Sequence, residues 1–337
     1  MTMSIADIAI QSVTHSKTTP TQNTQGKVCY ADVFRLTDLP TIMDAKHWPI
    51  SAILMRKWFA SPAHTMSSDE KQGKTDARSY PANLVDTCTV KMSWALSFPR
   101  IKSRYEQIFG STGLFGSKPA VYESTAARKE LIKKLIKGAK FGLNREAYGE
   151  LGASVLEVND LWQFQFHKIG GKEYNAATYG EAAAREVFQS DPGLDDMWGA
   201  LADTLFKIAA AGFVTPKLKE VDTGLQCGFE AEYYEVSVDT IGVYLRDTYD
   251  FNGDQYLGHW SKSSAPYIRL FAMGASRGSC PNDYVEVSNK HFRTHRQVTN
   301  KGGDLLIFSD VLQTRLKKPF TFRVSPEELR RISGEKN

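Results

Sequence analysis

Residues 241–260, IGVYLRDTYDFNGDQYLGHW, constrain this chain more than any other stretch. Ile241, Val243, Tyr244 and Leu245 form a β-branched and aromatic run that predicts a strand, and Asn252-Gly253 predicts a turn soon after it. Asp247, Tyr249 and Asp250 stand between the two, with Asp254 just past the turn glycine. A plain solvated turn requires one Asp or Asn. Three Asp, an Asn and a Tyr at the exit of a rigid strand mark a candidate site, because scaffolds deliver side chains to solvent at such places. In an extended strand end Asp247 and Tyr249 share one face and Asp250 points to the other, and a turn beginning at Asp250 brings both carboxylates to one place. Crowded carboxylates bind a cation or share a proton. The same residues also fit a structural reading, in which Asp250 and Asn252 hydrogen-bond their own turn.

The rest of the chain predicts an α+β protein, with a helix-rich N-terminal half packed on a mainly antiparallel sheet in the C-terminal half. Residues 1–27 carry few large apolar groups in their polar part, 14–27, and are expected to form a disordered tail. A helix-rich α+β region over 28–190 and a β-rich region over 191–337, carrying the candidate site, follow. Pro40 and Pro49 read as first-turn prolines of two helices, the second running through Phe59 with Ile50, Ile53, Leu54 and Trp58 at helical spacing. Residues 63–83 read as an exposed loop. In 88–97, Cys88, Val90, Met92, Trp94 and Leu96 alternate with small or polar residues, which predicts a strand. Further helices are expected from Pro99 to Ile108, from Ser124 to Lys137, over 179–188 and 194–201, and from Pro326. Further strands are expected over 161–166, 205–214, 234–245, 267–271, 284–287 and 305–308. The core residues should include Trp94, Phe164, Val243 and Leu306.

Composition bounds the functional classes. Hydrophobic residues are 42% and aromatic residues 11% of 337, ample for a buried core, and the formal charge of +4 is too small to argue for nucleic acid by itself. Arg128, Lys129, Lys133, Lys134, Lys137, Lys140 and Arg145 form a basic face and loop, which fits a phosphate or nucleic-acid surface as well as a solvated one. Phe141 is the single aromatic among them, too few for a stacking platform, so nucleic acid is not expected as a partner. Cys29, Cys88, Cys227 and Cys280 are far apart without a CxxC pair and read as buried free thiols. No apolar stretch approaches the ~20 residues of a membrane span. The N-terminus has no signal-peptide pattern, so synthesis in the cytoplasm is expected. Motifs for a serine or cysteine nucleophile and for a zinc peptidase are missing from the sequence.

Several blocks carry a family resemblance: residues 39–43 (LPTIM), 48–59 (WPISAILMRKWF), 90–95 (VKMSWA), 194–201 (LDDMWGAL), 246–260 and 301–310 (KGGDLLIFSD). In order and over roughly residues 30 to 312, they resemble a proteobacterial family of unassigned function whose genes often sit beside type VI secretion spike components. The resemblance implies an antibacterial effector or an accessory of one. Its expected partners are a secretion spike component and a cognate immunity protein, and its destination is a target bacterium. A shorter likeness concerns Asp247, Tyr249 and Asp250, which match the Asp-x-Tyr-Asp core of colicin M-like toxins. That family cleaves a lipid-linked pyrophosphate precursor of peptidoglycan in the periplasm and has a His-Arg pair close behind the core. Here the His-Arg pair, His295-Arg296, stands further on.

These residues define the expected chemistry. Asp247 and Asp250 would act as base or metal ligand, Tyr249 would position substrate, and His295 and Arg296 would stabilise phosphate charge. A divalent cation, Mg or Ca, would sit on Asp250, Asn252 and Asp254. The segment is not an EF-hand, since Gln255 stands at the required glycine and Ser261 at the bidentate glutamate. Residues 301–304, with two glycines, read as a structural turn to which Asp304 adds a carboxylate near the site. The expected function is a secreted hydrolase acting on the envelope precursor. The alternatives are a non-enzymatic adaptor or spike-cargo protein docking through Trp48 and Trp58, and a cytoplasmic nuclease using the basic face.

Overall fold

The structure is a computed structural model that describes residues 33–113, 116–169, 195–201, 204–222, 227–263, 266 and 284–334. The expected tail 1–27, helix 179–188 and strand 267–271 lie outside the described residues. Pro40 and Pro49 do occupy first turns, of α1 (Leu39–Ala45) and α2 (Pro49–Ala60). The expected loop 63–83 contains α3 (Ser68–Gln72) and buries Met66, Ala77 and Tyr80, so it is in part a packed segment. After β1 (Val85–Asp86), residues 88–97 do not form the expected strand. Asp86 accepts the Cys88 and Thr89 N–H groups, Asp310 accepts the Met92 N–H at 2.7 Å, and a turn of helix, α4 (Met92–Ala95), follows. Two carboxylates satisfying local N–H groups overrode the alternation. Trp94 is therefore half-buried against Phe98 instead of in a core, and Cys88 is an exposed thiol.

The chain continues through α5 (Pro99–Ile108), the hairpin β2 (Ser111–Gly113) and β3 (Gly116–Lys118), and α6 (Thr125–Lys137). The Ser124 hydroxyl caps α6 by accepting the Ala127 N–H at 3.2 Å. Next come β4 (Glu146–Tyr148), α7 (Val155–Leu161), β5 (Gln163–Lys168), α8 (Asp196–Leu201) and the long strands β6 (Leu205–Asp222) and β7 (Cys227–Tyr249). The end of the chain supplies β8 (Tyr256–Trp260), β9 (Val285–Ser288), α9 (Asn289–Thr299), β10 (Leu305–Phe308), β11 (Leu312–Val324) and α10 (Pro326–Ser333). Helices gather in the front half and a mixed, mostly antiparallel sheet in the back half, so the fold is α+β. Among the described residues no helix is long and apolar enough to cross a membrane.

Two compact units share the chain, and each is assembled from separated stretches. The first takes residues 1–67, 172–202 and 249–305; the second takes 68–171, 203–248 and 306–337. In the first unit α2 packs on α1 and α8, and Trp48 meets Trp198 and Trp260 edge to face at 6.4 and 6.1 Å. The buried Asp196 carboxylate accepts the Ile50 and Ser51 N–H groups at 3.1 and 2.8 Å and the Ser51 hydroxyl at 2.7 Å. It thereby caps the amino end of α2, where a negative charge is favoured.

The second unit is built on a sheet of order β1-β10-β7-β6-β4, with β11 also on β7 and β5 also on β6. Phe206, Ile208, Ala210 and Val214 stand buried at even positions of β6, and the small Ala209 on the other face is buried as well. On β7 the buried set changes parity, from Tyr234, Val236 and Val238 to Ile241, Val243 and Leu245. The register explains it: Ala211 opposes Thr240 while Gly212 opposes Val238, leaving Asp239 as a bulge. One inserted residue keeps both apolar sets on the same face. Phe164, Val243 and Leu306 lie in the core as expected.

Candidate functional site

Tyr249 and Phe251 leave β7 pointing inward, 7% and 6% exposed. The Tyr249 hydroxyl lies 3.8 Å from Met55 Sδ, and Phe251 stacks on Phe292 at 3.7 Å and meets Trp58 edge-on at 5.1 Å. Tyr249 is thus a core aromatic. Asp250, between them, points the other way and is half-buried. Its Oδ1 accepts the Asn252 backbone N–H at 3.3 Å and the Asn252 Nδ2 at 3.0 Å, the side-chain-to-backbone turn that the structural reading requires. Gly253 closes the turn at φ +75°. The Asp254 side chain is 90% exposed and pairs with Arg293 at 2.7 Å. Asn252 also donates Nδ2 to Asp304 at 2.8 Å, and its carbonyl accepts Asn289 Nδ2 at 2.8 Å. Asp250, Asn252 and Asp254 do not fit a divalent ion in this arrangement: the Asn252 amide gives protons to two carboxylates, and Asp254 is drawn outward to an arginine. Among the described residues no three His, Cys, Asp or Glu are grouped to hold a metal.

The structure brings the turn and α9 together, but through internal bonds. Asp304, with no exposed surface, accepts the Met66 N–H at 2.9 Å and Trp58 Nε1 at 3.5 Å besides Asn252, and forms a close ion pair with Arg296. Arg296 also donates Nε to the Gly302 carbonyl and an Nη to the Thr65 hydroxyl, each at 2.6 Å, with its guanidinium 5.4 Å from the Trp58 ring. The guanidinium expected to clamp phosphate is spent on the fold. His295 lies edge-on to Phe59 at 4.9 Å, and burial pulls its pKa below the ordinary imidazole value. His291 accepts the Ser288 N–H at Nδ1 (3.0 Å) and so caps α9; burial lowers its pKa, while Glu286 opposes the shift. His259 is buried, with its Nδ1 on the Tyr256 hydroxyl.

Asp247 belongs to the other unit, since the division falls between Thr248 and Tyr249. It is half-buried beside Arg246, whose guanidinium donates to the Lys71 and Glu70 carbonyls at 2.9 and 2.7 Å. Burial lowers the Arg246 pKa, and the Asp247 charge works against that shift. On the basic face Arg128 pairs with Glu328 at 2.7 Å, Lys133 with Glu130 at 2.7 Å and Lys137 with Asp160 at 3.6 Å, while Arg145 lies 3.5 Å over the Phe213 ring. Trp48 and Trp58 are buried, so they do not form the expected docking surface. Sequence reading missed Asp196 and Lys207. Lys207 had a legible signal, as the single charge in the strand segment LFKIAAAGFV, 205–214.

The described geometry defines an α+β protein built on a long antiparallel hairpin, with its carboxylate-rich turn locked into a buried polar network. The chain belongs to the family of unknown function DUF6402, whose family model covers residues 34–324. No curated protein and no solved structure matches it.

Proposed function

We propose that this chain serves a type VI secretion locus as a protein-binding component, an adaptor or spike-associated partner, docking through the free end of the β6–β7 ribbon. One observation carries the docking element. Beyond the pairing of β4 with β6 at Val214 and of β11 with β7 at Tyr234, residues 215–222 and 227–233 pair only with each other among the described residues. Two-stranded ribbons are marginal in water and unpaired edges accept further strands. Phe229 and Leu218, 57% and 44% exposed, share one face, since Leu218 opposes Ala231 and Phe229 opposes Glu220. By contrast the edge strand β11 is blunted: its pairing breaks between Arg315 and Phe320, where Lys317, Lys318 and Pro319 stand. The occupant is a strand of the spike component. The assignment to a secretion locus rests on the family resemblance of the sequence blocks.

Substituting Phe229→Asp together with Leu218→Asp should leave the melting temperature nearly unchanged and weaken binding to the purified spike component by about 2 kcal/mol or more, as loss of an aromatic anchor does. Unchanged affinity in titration calorimetry would remove the ribbon from the interface.

A second reading, an antibacterial hydrolase of a lipid-linked pyrophosphate delivered to the periplasm with a cognate immunity protein, is favoured by one fact. Arg293 and Asn289 of α9 hold the 250–254 turn, so Asp250 and Asp254 share a surface with a cationic helix. Asp250→Asn decides between the two. Under the binding reading the variant folds normally, because Asn still accepts the turn's bonds, and it supports secretion as the parent does. Loss of toxicity in cells expressing a periplasm-directed Asp250→Asn chain, where the parent kills, would establish the hydrolase instead, since an amide is neither a base nor a good ligand for a hard cation.

A further inference from the structure

Lys207 sits on β6 opposite Tyr244 of β7 and Phe166 of β5. Opposed residues of antiparallel strands share a face, so Arg246, two residues along β7, is its diagonal neighbour on the same side. The Lys207 ammonium lies 5.7 Å from the centroid of Phe166, whose 46% exposure opens this side to solvent. Tyr244 is buried, and its hydroxyl meets Asn159 Oδ1 of α7 at 2.9 Å. The next residue, Asp160, takes the Lys134 ammonium on its backbone carbonyl, which brings a third cation to the cluster.

Lys134 and Arg246 are anchored on backbone carbonyls, contacts that fix position and leave the positive charge in place. Gly73 admits the guanidinium, as a Cβ there would lie 3.3 Å from it. Two of the five N–H donors of Arg246 are engaged in this way. Lys207 has neither hydrogen bond nor ion pair among the described residues. The nearby acids are committed elsewhere: Asp160 to Arg78 at 2.9 Å and Lys137 at 3.6 Å, while Asp247 offsets Arg246. Burial, then the charges of Arg246 and Lys134, push the Lys207 pKa down to about 8.

The geometry points to a binding site for a phosphoryl anion on Lys207, flanked by Lys134 and Arg246. A half-buried ammonium between two pinned cations carries three donors and no acceptor, and a dianion supplies what the cluster lacks. Reduced dielectric strengthens that attraction beyond what a surface lysine offers. The lone Lys in an apolar strand and the inward member of the basic helix α6 thus become parts of one site. The site is independent of the ribbon.

The test is acylation of the full chain by acetic anhydride near pH 8, mapped by mass spectrometry, with inorganic phosphate or AMP as the probe. Without anion, Lys207 should react faster than its burial alone predicts; with phosphate it should be protected saturably while exposed lysines are not. Stronger protection by AMP marks a phosphomonoester as the ligand, and equal protection marks free phosphate. Phosphate should also raise the melting temperature of the parent and leave that of Lys207→Met unmoved. Without phosphate the parent, unlike Lys207→Met, should gain stability from about pH 8 toward the ordinary lysine pKa, because there the unfolded chain holds a proton that the folded chain has released. Lys207 labelling indifferent to both probes, or an equal phosphate-induced rise in Lys207→Met, would overturn the proposal.

Discussion

Replacing Asp304 with Ala should cost about 3–5 kcal/mol of folding stability, the penalty for leaving a buried charge without its partner. Asp304 has no exposed surface and Arg296 is 9% exposed, so water cannot take over the lost ion pair. The variant also strands the Met66 N–H and takes from the Asn252 amide one of its two carboxylate acceptors. Urea unfolding of Asp304→Ala, Arg296→Met and the double variant is the measurement. The double variant should be more stable than Asp304→Ala, because removing the orphaned guanidinium lifts the largest penalty. A cost below about 1 kcal/mol for Asp304→Ala, the range of exposed pairs, would show that the network is hydrated and that Arg296 is available to a ligand after all.

The second large effect is expected at Gly212. A Cβ there would lie 1.8 Å from the Ser237 carbonyl oxygen of the neighbouring strand. That atom is backbone in the middle of the β6–β7 pair and also accepts the Tyr148 hydroxyl at 3.1 Å, so it cannot swing aside as a side-chain end would. Gly212→Ala should therefore destabilise by about 3 kcal/mol or more, at or above the upper end of ordinary overpacking. The loss should appear as a lower midpoint of chemical unfolding, with amide-exchange protection falling at Gly212, Ser237 and Val238 first. Normal stability of Gly212→Ala would mean that the bulge at Asp239 is placed elsewhere in the register.

The strands and helices that obey local rules were legible. The β-branched run at 241–245, the proline starts of α1, α2, α5 and α10, the serine cap of α6 and the strand at Leu305–Phe308 all stand where the residue pattern predicts. Each rests on a dihedral preference or a capping bond made within a few residues. The 88–97 segment failed for the opposite reason: its helical turn depends on Asp310, 218 positions away from Met92.

The carboxylate-rich turn shows the same division. Its sequence determined that Asp250 and Asn252 would make a turn after a strand, because those bonds span two residues. Only the tertiary structure decided what the polar groups around it do. Asp304 lies 246 positions from Trp58 and 238 from Met66, yet these groups and Arg296 form one buried network. A sequence displays charge and spacing without burial, and in water an Arg or Asp is a reactive group. Burial turns it into a fixed partner, since an unpaired charge in the interior costs more than the fold can bear. By itself, then, the sequence determined an α+β chain with a turn of Asp and Asn after a long strand. Burial alone assigned Arg296 and Tyr249 to the scaffold and left Lys207 a half-buried charge with neither hydrogen bond nor ion pair among the described residues.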